Sequence, residues 1–112
     1  MQAQALQSER RKYPRYACEV GVEIRTGDAT SGYWGTLADV CLGGCYVNTF
    51  SPLPVGTAVV LMIKTDAAQI CIAGKAVTSH PGLGMGIEFS GFMESSDQSQ
   101  LNSLIAKLAN GA

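Results

Sequence analysis

Two of the chain's four cysteines flank a glycine pair in the stretch "LADVCLGGCYVNT", residues 37 to 49. Thiols at such a spacing suggest a metal or redox site first. Structural zinc sites take paired ligands, most often C-x-x-C matched by a second such pair. Cys18, Cys41, Cys45 and Cys71 contain no C-x-x-C, and the single histidine, His80, stands alone before Pro81. If residues 41 to 45 stayed extended, Cys41 and Cys45 would lie roughly 13 Å apart by strand rise, too far to share an ion. Only a tight turn at Gly43-Gly44 would bring them together. The spacing therefore argues against a metal site, and Cys18 and Cys71 read as small buried hydrophobes within strands. Catalysis finds no better footing. His80 has no nucleophile partner at a recognisable spacing, and Asp39 and Glu88 are isolated carboxylates on strands. Gly82-Leu-Gly-Met-Gly86 lacks the following helix and basic residue that a phosphate loop needs. The expectation is a protein that is not an enzyme.

The segment "ERRKYPRY", residues 9 to 16, carries more chemistry. Pro14 disfavours the helical region for Tyr13, so the segment tends to be extended. Arg11 and Arg15 then have the same parity and project to one side. Two guanidinium planes on one ribbon can grip phosphates bidentately, stack on purine faces and donate to guanine O6 and N7. On charge alone, four basic residues near a terminus read as a solvated arm; the extended spacing adds suitability for a guanine nucleotide.

The rest of the chain has to position these groups. Its 112 residues, 46 % hydrophobic and 15 % charged, suit one domain with a core of its own. Net charge is −1, but residues 1 to 16 set four basic side chains against Glu9, a net of +3, and residues 17 to 112 carry a net of −4. A general nucleic-acid binder would spread its positive charge over a face of the fold; here it is confined to one segment, which suits a small anion. The longest apolar run, "AVVLMI" at 58 to 63, is far short of a membrane span, and the N-terminus lacks the charge order of a secretory signal. A cytoplasmic protein with its cysteines as thiols is expected.

From Tyr16 the pattern alternates, with Cys18, Val20, Val22 and Ile24 on one side of a half-buried strand that ends at Thr26-Gly27-Asp28. "GYWGTLADV", "CYVNTF", "AVVLMIK", "QICIAGKAVTSH" and the glycine-heavy "GLGMGIEFS" follow as strands, separated by short turn-forming stretches. Six short strands point to an antiparallel barrel or sandwich. Leu101, Leu104, Ile105 and Leu108 then follow the helical i, i+3, i+4, i+7 rule, with Ser95 and Gln98 as a capping box and Asn110-Gly111 as the stop. The helix is expected over about 96–109, on the open end or side of the barrel, and residues 1–8 read as a mobile tail.

Arg11-x-x-x-Arg15 followed by Asp39-Val-Cys41-Leu-Gly-Gly44 resembles the motif pair of the PilZ domain family, R-x-x-x-R before the first strand and [D/N]-x-S-x-x-G near the second and third. Gly84-Met-Gly86-Ile-Glu-Phe89 and the amphipathic helix strengthen the likeness, which spans residues 9–110. The resemblance implies an all-β fold with a C-terminal helix, a six-stranded antiparallel barrel, and a bacterial receptor for the second messenger cyclic di-GMP. It implies that Arg11 and Arg15 hold phosphates and guanines, that Asp39 accepts from guanine N–H groups, and that Gly44 lets the backbone come close. In this family an arginine at the position of Arg10 goes with binding a stacked, intercalated ligand dimer, which sets that expectation here. Cys41 stands at the motif's serine position, and a thiol is weak as both donor and acceptor. The arm of residues 9–16 is expected to wrap the nucleotide and so change the face shown to a downstream effector of unknown identity, with no DNA, RNA or membrane partner. The competing reading is a PilZ-like adaptor that contacts proteins without nucleotide; such members usually lack the motif arginines, and both are present here. A single-stranded nucleic-acid barrel would want aromatic platforms on a basic groove, whereas Tyr33 and Trp34 have no basic neighbours in sequence.

Overall fold

The computed structural model describes residues 13–26 and 32–110. The expected tail at 1–8, the start of the arm with Arg10 and Arg11, the Gly27-Asp28 turn and Gly111 lie outside them. Six strands run in order: β1 Tyr16–Thr26, β2 Tyr33–Val40, β3 Gly44–Asn48, β4 Ala58–Lys64, β5 Gln69–His80 and β6 Gly84–Phe92, followed by helix α1 Ser95–Ala109.

The strands form a closed barrel in the order β1-β2-β3-β6-β5-β4, all pairs antiparallel. It consists of two meanders, β1-β2-β3 and β4-β5-β6, joined by two seams, β3 to β6 and β4 to β1. Closure leaves no edge strand to manage. The alternation expected of β1 is realised: Val22 and Ile24 are fully buried, and Cys18 and Val20 pack against the core from the same side. The same period puts Val59, Leu61 and Ile63 of β4 and Ile70, Ile72 and Ala76 of β5 inside.

Each rim of the barrel is covered. At one, the β3–β4 connection folds across, with Gly56 N–H donating to Ala76 O at 2.7 Å and Ala76 N–H to Thr57 O at 2.9 Å. At the other, where β1 begins, β2 turns into β3 and β6 ends, α1 inserts Leu101, which is fully buried, flanked by Leu104, Ile105 and Leu108.

The start of the helix differs from the sequence expectation. The N-cap is Glu94, and the side chain that answers it is Asp97 rather than Gln98. Asp97 is buried, and its carboxylate accepts from Glu94 N–H at 2.9 Å and from Cys71 N–H of β5 at 3.0 Å. A buried carboxylate needs donors, and the strand N–H supplies one that Gln98, on the exposed face, cannot reach. Asp97 thus caps the start of the helix and fastens it to the barrel at once. Asp97→Ala removes a charged acceptor from two backbone donors and is expected to destabilise the domain by about 2 kcal/mol or more, with Asp97→Asn intermediate; urea denaturation of the three proteins measures it.

Candidate functional site

The site gathers at the rim where β1 begins. Tyr16 pairs with Val40 and Ala17 with Asp39, so the residue just before β1, Arg15, comes beside the end of β2. Both strands are irregular there: the register shifts between Ala17 and Val20 on β1, and between Leu37 and Asp39 on β2. Such bulges re-aim side chains. Asp39 comes to lie partly buried, with its Oδ1 3.7 Å from the Arg15 guanidinium. That distance is an ion pair without a hydrogen bond. Oδ1 is cut off from solvent and has no hydrogen-bond partner. A desolvated acceptor of this kind costs roughly 1–3 kcal/mol and is relieved by any donor brought to it.

The turn from β2 to β3 does close tightly at Gly43-Gly44. Cys41 N–H donates to Gly44 O at 2.8 Å, and the buried Cys41 sulfur accepts from Gly43 N–H at 3.3 Å. The thiol therefore does in the turn what a serine hydroxyl does in such turns, over a longer distance. The turn is also braced from β6, where Phe89 N–H donates to Gly43 O at 2.9 Å. Gly44 pairs with Glu88, and a Cβ added to it would stand 2.3 Å from Ile87 O. Its lack of a side chain is thus required by the seam between β3 and β6, a need that spacing in the sequence did not reveal.

Cys45 begins the inward row of β3 opposite Val40 and is buried. Burial, reinforced by the charge of Asp39 and by the neighbouring Cys41 and Cys18, pushes its thiol well above the ordinary range, with Arg15 opposing. Burial and then Asp39 push the Cys18 thiol from 9.0 up to about 11. Cys18 Sγ lies 3.7 Å from Leu37 O. Asp39 thus faces Arg15 on one side and thiols kept neutral on the other. Among the described residues, no cluster of three or more His, Cys, Asp and Glu side chains is arranged to hold a metal ion. His80 sits at the opposite rim, its Nδ1 2.9 Å from the Tyr46 hydroxyl.

Arg15, Asp39, Cys41 and Gly44 are therefore brought together, while Arg10 and Arg11 lie outside the described residues. Tyr13 joins them: a Cβ on Gly43 would be 3.1 Å from Tyr13 Cδ2, so the ring lies against that glycine. Its odd parity with Arg11 and Arg15 was the available signal. Elsewhere, Trp34 does have a basic neighbour, since the Lys64 ammonium lies 5.4 Å from its ring centroid. The pairing of β1 with both β2 and β4, Trp34 opposite Glu23 and Lys64 opposite Gly21, brings these distant residues near each other, and no sequence neighbourhood displays that.

The raised thiol pKa values bear on stability. Protonated thiols are favoured by the folded state, so the contribution of Cys18 is complete below pH 9 and is lost as pH rises from 9.0 toward about 11. Urea midpoints measured across this window are expected to fall, and Cys18→Ala to flatten the fall; a profile as steep in the variant would assign it to other groups.

The family model for the PilZ domain matches residues 9–107, and the chain belongs to the PilZ domain family. No curated protein sequence matches it significantly. Its fold is similar to the PilZ domain of CeSA from a cellulose-synthesizing bacterium, at TM-score 0.67 and 18% identity, covering 86% of this chain and 98% of that one. It is also similar to the PilZ domain of Escherichia coli YcgR with c-di-GMP, at TM-score 0.68 and 15% identity over 91% of this chain and 93% of that one. The K. pneumonia MrkH–c-di-GMP complex matches at TM-score 0.70 and 19% identity over 88% of this chain, which spans about half, 51%, of MrkH. No helix among the described residues is long and apolar enough to cross a membrane.

Proposed function

We propose that this PilZ domain is a receptor for cyclic di-GMP, held between the arm of residues 9–16 and the turn from Asp39 to Gly44. The observation that carries the reading is the buried, unpartnered Oδ1 of Asp39 beside the Arg15 guanidinium. A guanine presents N–H donors at the edge where a carboxylate accepts, and its linked phosphate presents the anion that an arginine fork accepts. One ligand therefore answers both groups, which in its absence answer each other imperfectly at 3.7 Å. The bound c-di-GMP of the YcgR domain and of MrkH supports the ligand class.

In this reading Arg11 and Arg15 hold the phosphates and stack on or bond to guanine, and Asp39 takes the guanine N–H groups. Gly44 keeps the seam behind the turn tight, and Cys41 closes the turn. Arg10 favours a stacked, intercalated ligand dimer. Ligand binding wraps the arm over the nucleotide, and the altered rim is read by a downstream protein. The relatives' names put such domains in transcription regulation, for MrkH, and inhibition of motility, for Bacillus subtilis MotI; this chain spans only about half of each, 52% and 53%.

Calorimetric titration with cyclic di-GMP tests the reading. Arg11→Ala, Arg15→Ala and Asp39→Ala are each expected to weaken binding by about tenfold or more, the scale of a lost charge-assisted hydrogen bond. Cys41→Ser is expected to shift affinity by no more than about tenfold, the scale of one neutral hydrogen bond. Heat saturating at two ligands per chain would report the stacked dimer. A wild-type chain that takes up no cyclic di-GMP at micromolar concentration would sink the receptor reading.

A further inference from the structure

The Tyr13 ring rests on a surface that cannot retreat. Gly43 is held through its own N–H, which donates to the Cys41 sulfur at 3.3 Å, and through its carbonyl, which accepts from Phe89 N–H at 2.9 Å. A Cβ on Gly43 would lie 3.1 Å and 3.3 Å from two ring carbons of Tyr13. Two residues later Arg15 reaches Asp39. Pro14 stands between them with its φ locked by the ring, which keeps the link from Tyr13 to Arg15 short and stiff. Tyr13 and Arg15 therefore grip the two ends of one short segment, Asp39 to Gly43. The Arg15–Asp39 contact, at 3.7 Å, is an ion pair without a hydrogen bond, made by an arginine that is itself exposed, and it holds the chain loosely. Packing of an aromatic face on a fixed backbone is the firmer attachment.

We propose that Tyr13 is the positioning residue of the nucleotide site: seated on Gly43, its ring registers the arm so that Arg15, two residues on, meets the ligand beside Asp39. This rests on the receptor reading above. An arm registered before binding loses less conformational freedom when the ligand arrives, so affinity is gained without any contact to the ligand. Glycine at 43 is part of the same device, because an added methyl presses the ring away by a few tenths of an ångström.

The test is a double-mutant cycle on the full chain, with cyclic di-GMP affinity read by calorimetry and folding by thermal denaturation. Tyr13→Ala is expected to weaken binding by about tenfold while leaving the thermal midpoint within about 2 °C, and Tyr13→Phe to stay within about threefold of wild type. Gly43→Ala is expected to weaken binding several-fold in the wild-type background and to change nothing in the Tyr13→Ala background, since the two act through one contact. Wild-type affinity in Tyr13→Ala, or equal effects of Gly43→Ala in both backgrounds, overturns the proposal. If wild type binds no cyclic di-GMP, the receptor reading falls by itself. Amide exchange at Arg15 and Tyr16 in ligand-free protein then judges the seating of the arm: faster exchange in Tyr13→Ala than in wild type supports it, and equal exchange refutes it.

Discussion

The barrel closes at the seam between β3 and β6, and the closure turns on one atom that is not there. Gly44 lies so near Ile87 O that a Cβ would stand 2.3 Å away. Farther along the same pair of strands, a Cβ added to Gly84 would likewise stand 2.3 Å from Val47 O. A six-stranded barrel is narrow, and its strands must coil strongly to close; glycines where backbones converge permit that. The seam also sets the turn. With Gly44 against β6 and Gly43 O bonded to Phe89 N–H, residues 41 to 43 have no freedom to wander. The constraint that shuts the barrel therefore also fixes the rim on which Asp39 and Cys41 are presented.

That rim carries one partly buried negative charge, and its surroundings make the charge tolerable without satisfying it. Arg15 neutralises it at a distance too long for a hydrogen bond. Cys18 and Cys45 stay protonated beside it, so no second anion competes. Buried charges are normally both paired and hydrogen-bonded. Asp39 is paired and, at Oδ1, not hydrogen-bonded. An unsatisfied acceptor at the rim beside the Arg15 guanidinium is the observation on which the proposed receptor reading rests.

Much of this was legible in the sequence because it rests on local periods. Alternation marked β1 and turn-bounded apolar stretches marked the other five strands to within a few residues, and the spacing of Leu101, Leu104, Ile105 and Leu108 marked the helix face. What was not legible depends on residues far apart in the chain. Asp97 displaces Gln98 as the capping partner because its carboxylate also reaches Cys71 N–H, 26 residues earlier. Trp34 gains Lys64 only because β1 pairs on both its edges. Gly44 looked like clearance for a ligand, and the nearest obstacle to a Cβ is the neighbouring strand. Motif spacing marked the candidate residues, and the seam between β3 and β6 explains why the one at 44 is a glycine.

Cys41 is the position where such a distinction matters most. A thiol in place of a hydroxyl is a poorer donor and acceptor, and as a ligand contact alone it would be a defect. Its sulfur is occupied within the turn, accepting from Gly43 N–H, and that turn has further supports in the backbone bonds from Cys41 N–H to Gly44 O and from Phe89 N–H to Gly43 O. Weakening one of these leaves the others in place, so the presentation of Asp39 does not hang on the side chain at 41. On the proposed receptor reading the larger contributions come from charge-assisted contacts of arginine and carboxylate, about twice as strong as neutral ones. A chain that keeps those groups and the seam behind them can exchange serine for cysteine and still hold its rim ready.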